Sequence, residues 1–158
     1  MRSVLVAAMA WIGVAFGGPV VQQSEPIETA HLSAKTATNV TGQRTWLVVD
    51  IVPKPKMHVY APGEKDAIPI AIRLDANPAI KAGKPVFPPP QKYFFPPLKL
   101  TQLVYSSPFR ITLPITIVRK PSTGSLTITG TLHYQACDDA VCYVPKQVAV
   151  RWEWRSED

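Results

Sequence analysis

Apolar and polar residues alternate with a period of two in several short stretches of this chain. In a strand successive side chains point to opposite faces, so this period puts one set on a buried face. In residues 45–52, Leu47, Val49 and Ile51 fall on one side and Trp46, Val48 and Asp50 on the other. Residues 109–118 align Phe109, Ile111, Leu113, Ile115 and Ile117. Residues 125–135 align Leu126, Ile128, Leu132 and Tyr134, with Thr127, Thr129, Thr131 and His133 opposite. Residues 147–154 align Val148, Val150, Trp152 and Trp154. Shorter strands are predicted at 56–60, with His58 and Tyr60 on one side, and at 100–105. A further strand at 68–74 would turn Ile68, Ile70, Ile72 and Leu74 inward. Gly130 interrupts a long alternating run and is read as a bulge.

Residues 77–97 break the pattern. They hold Pro78, Pro85, Pro88, Pro89, Pro90, Pro96 and Pro97, with Tyr93, Phe94 and Phe95 among them. Proline has no N–H to give a ladder, so this cannot be a central strand. A long loop is predicted, and such loops in compact domains are often functional. Full burial of a Phe is worth roughly 1.5–3 kcal/mol. The three aromatics are therefore expected to pack, either as a cover over a site or as core at the end of the domain.

Seven or eight short alternating strands and seventeen prolines predict an all-β domain. The layout expected is an immunoglobulin-like antiparallel β-sandwich, without the widely spaced Cys…Trp…Cys pattern of antibody domains. One domain is assigned to residues 44–158. Residues 18–43 are polar and mixed; they are read as a linker with one early strand near residues 31–37 and a solvated His31.

The first seventeen residues read as a targeting segment. Arg2 precedes an uncharged apolar run over residues 4–16, and Ala15 and Gly17 are small enough for cleavage before Gly18. Uncharged residues continue to Ser24, so an uncleaved N-terminal anchor is the alternative. The run itself is short for a membrane span. Net charge is +6, or +5 without Arg2, and the cations are scattered. That distribution fits a soluble exported domain and argues against a nucleic-acid partner.

Chemistry concentrates at Cys137 and Cys142, the only two cysteines. Four residues separate them, between two alternating strands, so they can form a local disulfide. Closing so short a loop stabilises by only ~2 kcal/mol, against ~4.7 for a hundred-residue loop. As a staple the pair is poorly placed; as an exchangeable dithiol it is well placed. Both readings stand on residue type and spacing alone. Asp138 and Asp139 border Cys137, and nearby negative charge disfavours a thiolate, so Cys142 is expected to be the attacking and attacked sulfur. The aspartates can equally be turn residues. Met57, His58, His133 and the cysteines include soft ligands suited to copper, yet no histidine closely follows Cys142 and no zinc-type pair repeats. No metal or other cofactor is expected. The G-x-S-x-G motif of serine hydrolases is missing.

Tyr134-Gln135-Ala136-Cys137 followed by Cys142-Tyr143-Val144-Pro145 resembles the signature of the N-terminal periplasmic domain of the thiol:disulfide interchange protein DsbD. Val104-Tyr105 with the strand from Arg110 to Ile117, and the stretch from Lys56 to Tyr60, resemble strands of the same family over residues 46–152. The resemblance implies an immunoglobulin-like fold and a periplasmic dithiol relay, a protein-disulfide reductase component. It implies electrons taken from a thioredoxin-like donor, membrane-bound in some settings, and passed to oxidised periplasmic proteins. Mixed disulfides would form at Cys142, with Cys137 resolving them. A capping aromatic would come from the run of Tyr93, Phe94 and Phe95, with Phe94 or Phe95 expected to fold over the disulfide, and His58, Tyr60 and Tyr134 would surround the site. Ala61 stands where a basic residue follows the tyrosine in a familiar member. Read as a free-standing module, the chain would take its electrons from a separate protein. The alternative is a non-catalytic binding module of the same fold, with the cysteines as a hairpin staple.

Overall fold

The structure is a computed structural model that describes residues 21–41 and 44–156, with Val21–Gln23 as backbone only. The targeting segment of residues 1–17 lies outside the described residues, as do 18–20 and 42–43 of the expected linker.

Every regular element among the described residues is a β-strand. In chain order they are β1 (Val21–Gln23), β2 (Ile27–Glu28), β3 (Leu32–Thr41), β4 (Arg44–Pro53), β5 (His58–Tyr60), β6 (Ala71–Leu74) and β7 (Ile80–Ala82). They continue as β8 (Gln91–Phe95), β9 (Leu100–Tyr105), β10 (Phe109–Ile117), β11 (Ser125–Tyr134), β12 (Ala136–Cys137) and β13 (Lys146–Arg155). All pairings are antiparallel, as the short connections require. The largest sheet runs β1-β3-β4-β10-β7, with β2 also on the edge of β3. A second runs β13-β11-β6 and a third β12-β5-β9-β8. No helix among the described residues is long and apolar enough to cross a membrane.

The first two sheets face each other across one core. Leu47, Val49 and Ile51 of β4 and Ile111, Leu113 and Ile115 of β10 pack with Ile128, Leu132, Val150, Trp152 and Trp154 of β11 and β13. Trp152 donates its ring N–H to the Val48 carbonyl at 2.9 Å, so the largest core side chain is also satisfied. The chain is an immunoglobulin-like all-β domain, with the alternating strands where their periodicity predicts.

Five expectations are corrected. The early strand is longer than its apolar content suggests: β3 runs to Thr41 and pairs with β4 from Leu32↔Pro53 to Thr41↔Arg44. Its buried positions include Ala34, Thr36, Ala37 and Thr38, small or hydroxylated residues that carry little hydrophobic signal. His31 is not solvated but buried. Ile68 is exposed, because β6 begins only at Ala71 and Pro69 precedes it. Gly130 is not a bulge: β11 stays in register with β13 through Gly130↔Val150 and with β6 through Gly130↔Leu74. Its missing side chain admits a neighbouring strand, since a Cβ there would stand 2.5 Å from the Arg73 carbonyl oxygen.

The proline-rich segment is also more regular than a loop. It supplies β7, a bridge from Val86 to Thr112, and β8. β8 lies at the edge of its sheet, where flanking prolines cost no ladder bonds.

Candidate functional site

The third sheet has two working faces. On one, Val59, Ala61, Tyr105 and Ala136 join the main core. On the other, Tyr60, Val104 and Cys137 form a separate buried cluster, with Tyr93 packed against it. Strand alternation produces this split: residues 58 and 60 share one side of β5, and 59 the other. The register completes the site. Cys137 lies opposite His58, Tyr60 opposite Val104, and Tyr93 opposite Gln102.

Cys137 and Cys142 are joined by a disulfide, across an isolated bridge between their backbones. The loop between them is closed by Asp138. Its Oδ1 accepts from the backbone N–H groups of Ala140 and Val141, both at 2.8 Å, and its Oδ2 from the Tyr143 hydroxyl at 2.8 Å. The Asp138 N–H donates to the Val141 carbonyl, and the Tyr143 N–H to the Ala136 carbonyl. These bonds hold the Asp138 carboxyl below its ordinary range, the Val141 and Ala140 N–H groups contributing most. Gln135 braces the loop from behind, donating to the Tyr143 carbonyl and accepting from the Ile68 N–H. Asp138 is thus a turn residue of the kind its side chain favours.

The two sulfurs have opposite surroundings. Cys137 is fully buried and Cys142 is exposed. Val141, Val144 and Ile68 are exposed too, so the described surface around the loop is partly apolar. The Tyr60 hydroxyl stands 3.0 Å from the Cys137 sulfur and 3.1 Å from the Cys142 sulfur. Neither sulfur carries a proton in the disulfide, so the phenol is the donor. The Gln102 Nε2 donates to the same phenol oxygen at 3.1 Å. Burial pushes the Tyr60 hydroxyl above its ordinary value, more than the Gln102 bond lowers it.

Aromatic rings pack beside the buried sulfur. His58 packs against Tyr93 at 4.4 Å with the rings tilted by 40°, and lies edge-on to Tyr60 at 6.2 Å. Burial lowers the His58 pKa, although Asp139 and Asp138 pull the other way. Tyr93 donates to Asp139 Oδ1 at 2.7 Å, which ties β8 to the cysteine loop and raises the Tyr93 hydroxyl. On the far side His31 packs against Tyr143 at 4.5 Å and edge-on to Tyr134 at 6.2 Å. Tyr134 is fully buried, and its hydroxyl donates to Thr29.

The residues singled out from the sequence therefore separate. Cys137, Cys142, His58, Tyr60 and Tyr93 meet at one place. Tyr134 belongs to the main core, at the end of β11 and two residues before β12. Phe95 shares the Tyr93 face of β8 and is buried, whereas Phe94 points to the opposite face and is 57% exposed. Gln102 and His31 carried no sequence signal. Gln102 stands in an ordinary alternating strand, and only the pairing of β5 with β9 brings it beside Tyr60. Among the described residues no group of three His, Cys, Asp or Glu is placed to hold a metal ion.

The family model for the N-terminal domain of thiol:disulfide interchange protein DsbD matches residues 28–152. The match starts earlier than the cysteine motif and its nearest strands suggest, at β2. A search of curated proteins found no match. Among solved structures, the N-terminal periplasmic domain of ScsB from Proteus mirabilis superposes with a TM-score of 0.63 at 9% identity. That similarity covers 82% of this chain, and the chain spans half the length of the ScsB domain. The DsbD N-terminal domain from Neisseria meningitidis, in its reduced form, superposes with a TM-score of 0.52 at 18% identity. It covers 80% of this chain and 87% of that domain. At these identities the likeness is one of fold.

Proposed function

Since the chain belongs to the family of the DsbD N-terminal domain, we propose that it is a two-electron relay, cycling Cys137 and Cys142 between disulfide and dithiol. The observation that carries this reading is the asymmetry of the pair: an exposed sulfur in a short loop, backed by a buried one. A fixed staple has no need of an open sulfur, whereas exchange demands one that a partner's thiolate can reach in line.

The donor thiolate attacks the Cys142 sulfur. The Cys137–Cys142 bond breaks, its electron pair stays on Cys137, and a mixed disulfide joins the donor to Cys142. Tyr60 donates its hydrogen bond to the buried Cys137 thiolate as it forms. The donor's second thiol then attacks its own sulfur in the mixed disulfide and releases Cys142. The donor leaves oxidised, and the relay holds both electrons with two protons taken from solvent. Transfer onward reverses the roles: Cys142 attacks an oxidised protein, and Cys137 resolves the adduct. Tyr93, latched to Asp139, shields the buried Cys137 side of the pair and leaves Cys142 open to a partner. His58 supports Tyr93 from below. The donor is a thioredoxin-like protein, either soluble or membrane-bound, and the acceptors are oxidised periplasmic proteins. The work is periplasmic, with residues 1–17 as the exporting segment.

The test is a redox titration of the purified protein against glutathione and dithiothreitol, followed by exchange with reduced thioredoxin. A relay exchanges with thioredoxin and titrates as a two-electron couple. A disulfide that resists thioredoxin and titrates only well below about −300 mV, where structural disulfides lie, would show a staple in a binding module.

A further inference from the structure

We infer that Gln102 is a positioning residue for thiol exchange, holding the Tyr60 hydroxyl so that its proton points at the sulfurs of Cys137 and Cys142. The inference rests on the relay reading above and adds a residue that neither the family match nor the cysteine motif marks.

The argument is one of hydrogen-bond capacity. A phenol has a single proton and accepts through its oxygen. The Gln102 amide N–H occupies that oxygen at 3.1 Å. The Tyr60 proton is then left for its other close neighbours, and the described ones are the two sulfurs at 3.0 and 3.1 Å. Without Gln102 the hydroxyl is free to rotate, and its dipole loses the polarisation that a donor at its oxygen supplies.

Packing offers no reason for an amide at this position. Gln102 is 4% exposed, on the face that buries Tyr60, Val104 and Cys137. Its Oε1 is buried and has no partner among the described residues. An amide with an unpaired carbonyl is a destabilising choice where a leucine of similar volume would serve. The chemistry supplies the missing reason. When the disulfide opens, a thiolate appears on the fully buried Cys137, where few donors can reach it. A donor held in place stabilises that leaving group, and a better leaving thiolate departs faster. In the disulfide the same proton also lies within reach of the Cys142 sulfur, at 3.1 Å.

The experiment is the pH profile of iodoacetamide alkylation at Cys142 in the fully reduced protein, read by mass spectrometry. Gln102→Leu is compared with the parent, with Tyr60→Phe and with the double variant; Gln102→Met replaces it if leucine does not fold. The expected result is a midpoint moved to higher pH, with alkylation at pH 7 slowed about three- to fourfold, since a tenfold loss of thiolate is partly offset by its greater nucleophilicity. The rate plateau at high pH does not fall. In the Tyr60→Phe background the Gln102 substitution adds nothing. An unmoved midpoint, an equal shift without the Tyr60 hydroxyl, or failure of both Gln102 variants to fold overturns the assignment. Alkylation needs no partner protein. A parent that does not exchange with thioredoxin therefore sinks the relay, while the profile still decides Gln102.

Discussion

Cys137 and Cys142 are bonded to each other, yet Cys137 has no exposed surface and Cys142 is open to solvent. The difference arises from their placement. Cys137 ends β12, opposite His58, and faces the buried cluster of Tyr60 and Val104. Cys142 lies beyond the turn organised by Asp138, outside any strand. Charge near Cys137 points to the same division of labour, since the hydrogen bonds from Val141, Ala140 and Tyr143 keep Asp138 ionised.

This division predicts asymmetric trapping. Cys137→Ser should accumulate a mixed disulfide with a thioredoxin-like donor through Cys142, because no internal thiol remains to resolve it. Cys142→Ser should accumulate little, its one thiol being buried. Non-reducing gels after incubation with a donor that lacks its own resolving cysteine measure both. Equal trapping by the two variants would refute the assigned roles.

The three consecutive aromatics should behave differently. Tyr93→Ala removes both the ring contact with His58 and the bond to Asp139. It should speed reduction by dithiothreitol several-fold under conditions where the protein stays folded. Phe95→Ala empties a buried site and should destabilise by about 3–5 kcal/mol. Phe94→Ala, at an exposed position, should stay within about 0.5 kcal/mol of the parent. Reduction kinetics and urea midpoints on the three variants separate cover from core. A Tyr93→Ala protein that reduces no faster than the parent would remove the covering role.

Stability should fall on the acid side of neutrality. Burial lowers the folded-state pKa of His58, against the pull of Asp139 and Asp138, and of His31, with Lys146 adding to the effect. The unfolded chain then binds protons near the ordinary value of 6.5, before the folded chain does. This contribution is complete above pH 6.5 and is lost as pH falls below it towards the depressed folded values. Urea midpoints between about pH 8 and pH 5 should decline in that direction. His31→Phe and His58→Phe should each flatten the decline, and an unchanged slope in both would refute it.

Gly130→Ala should destabilise by about 1–3 kcal/mol, as overpacking does. The added Cβ meets the Arg73 carbonyl oxygen at 2.5 Å and the Leu74 Cα at 3.1 Å, both on the backbone of β6. Neither can move without parting β6 from β11. A thermal or urea midpoint equal to the parent's would show that β6 yields.

Much of this protein is determined along the chain itself. Alternation within residues 45–52, 109–118, 125–135 and 147–154 specifies strands and their buried faces, because the period of side-chain direction is a local property of extended backbone. The cysteine loop is likewise local: its two thiols and the aspartate that turns it lie within six consecutive residues. Other features depend on which strands pair. Tyr60 and Gln102 are 42 residues apart, and Tyr93 and Asp139 46, so nothing in the neighbourhood of either residue announces its partner. Gly130 looks like an irregularity until β6 is laid against it. Phe94 and Phe95 are adjacent and chemically identical, yet the pleat of an edge strand sends one outward and the other in. Local spacing determined which two cysteines can bond to each other. Only the tertiary structure decided which sulfur is open and which phenol serves it, because burial and hydrogen-bond partners are set by contacts between strands distant in the chain.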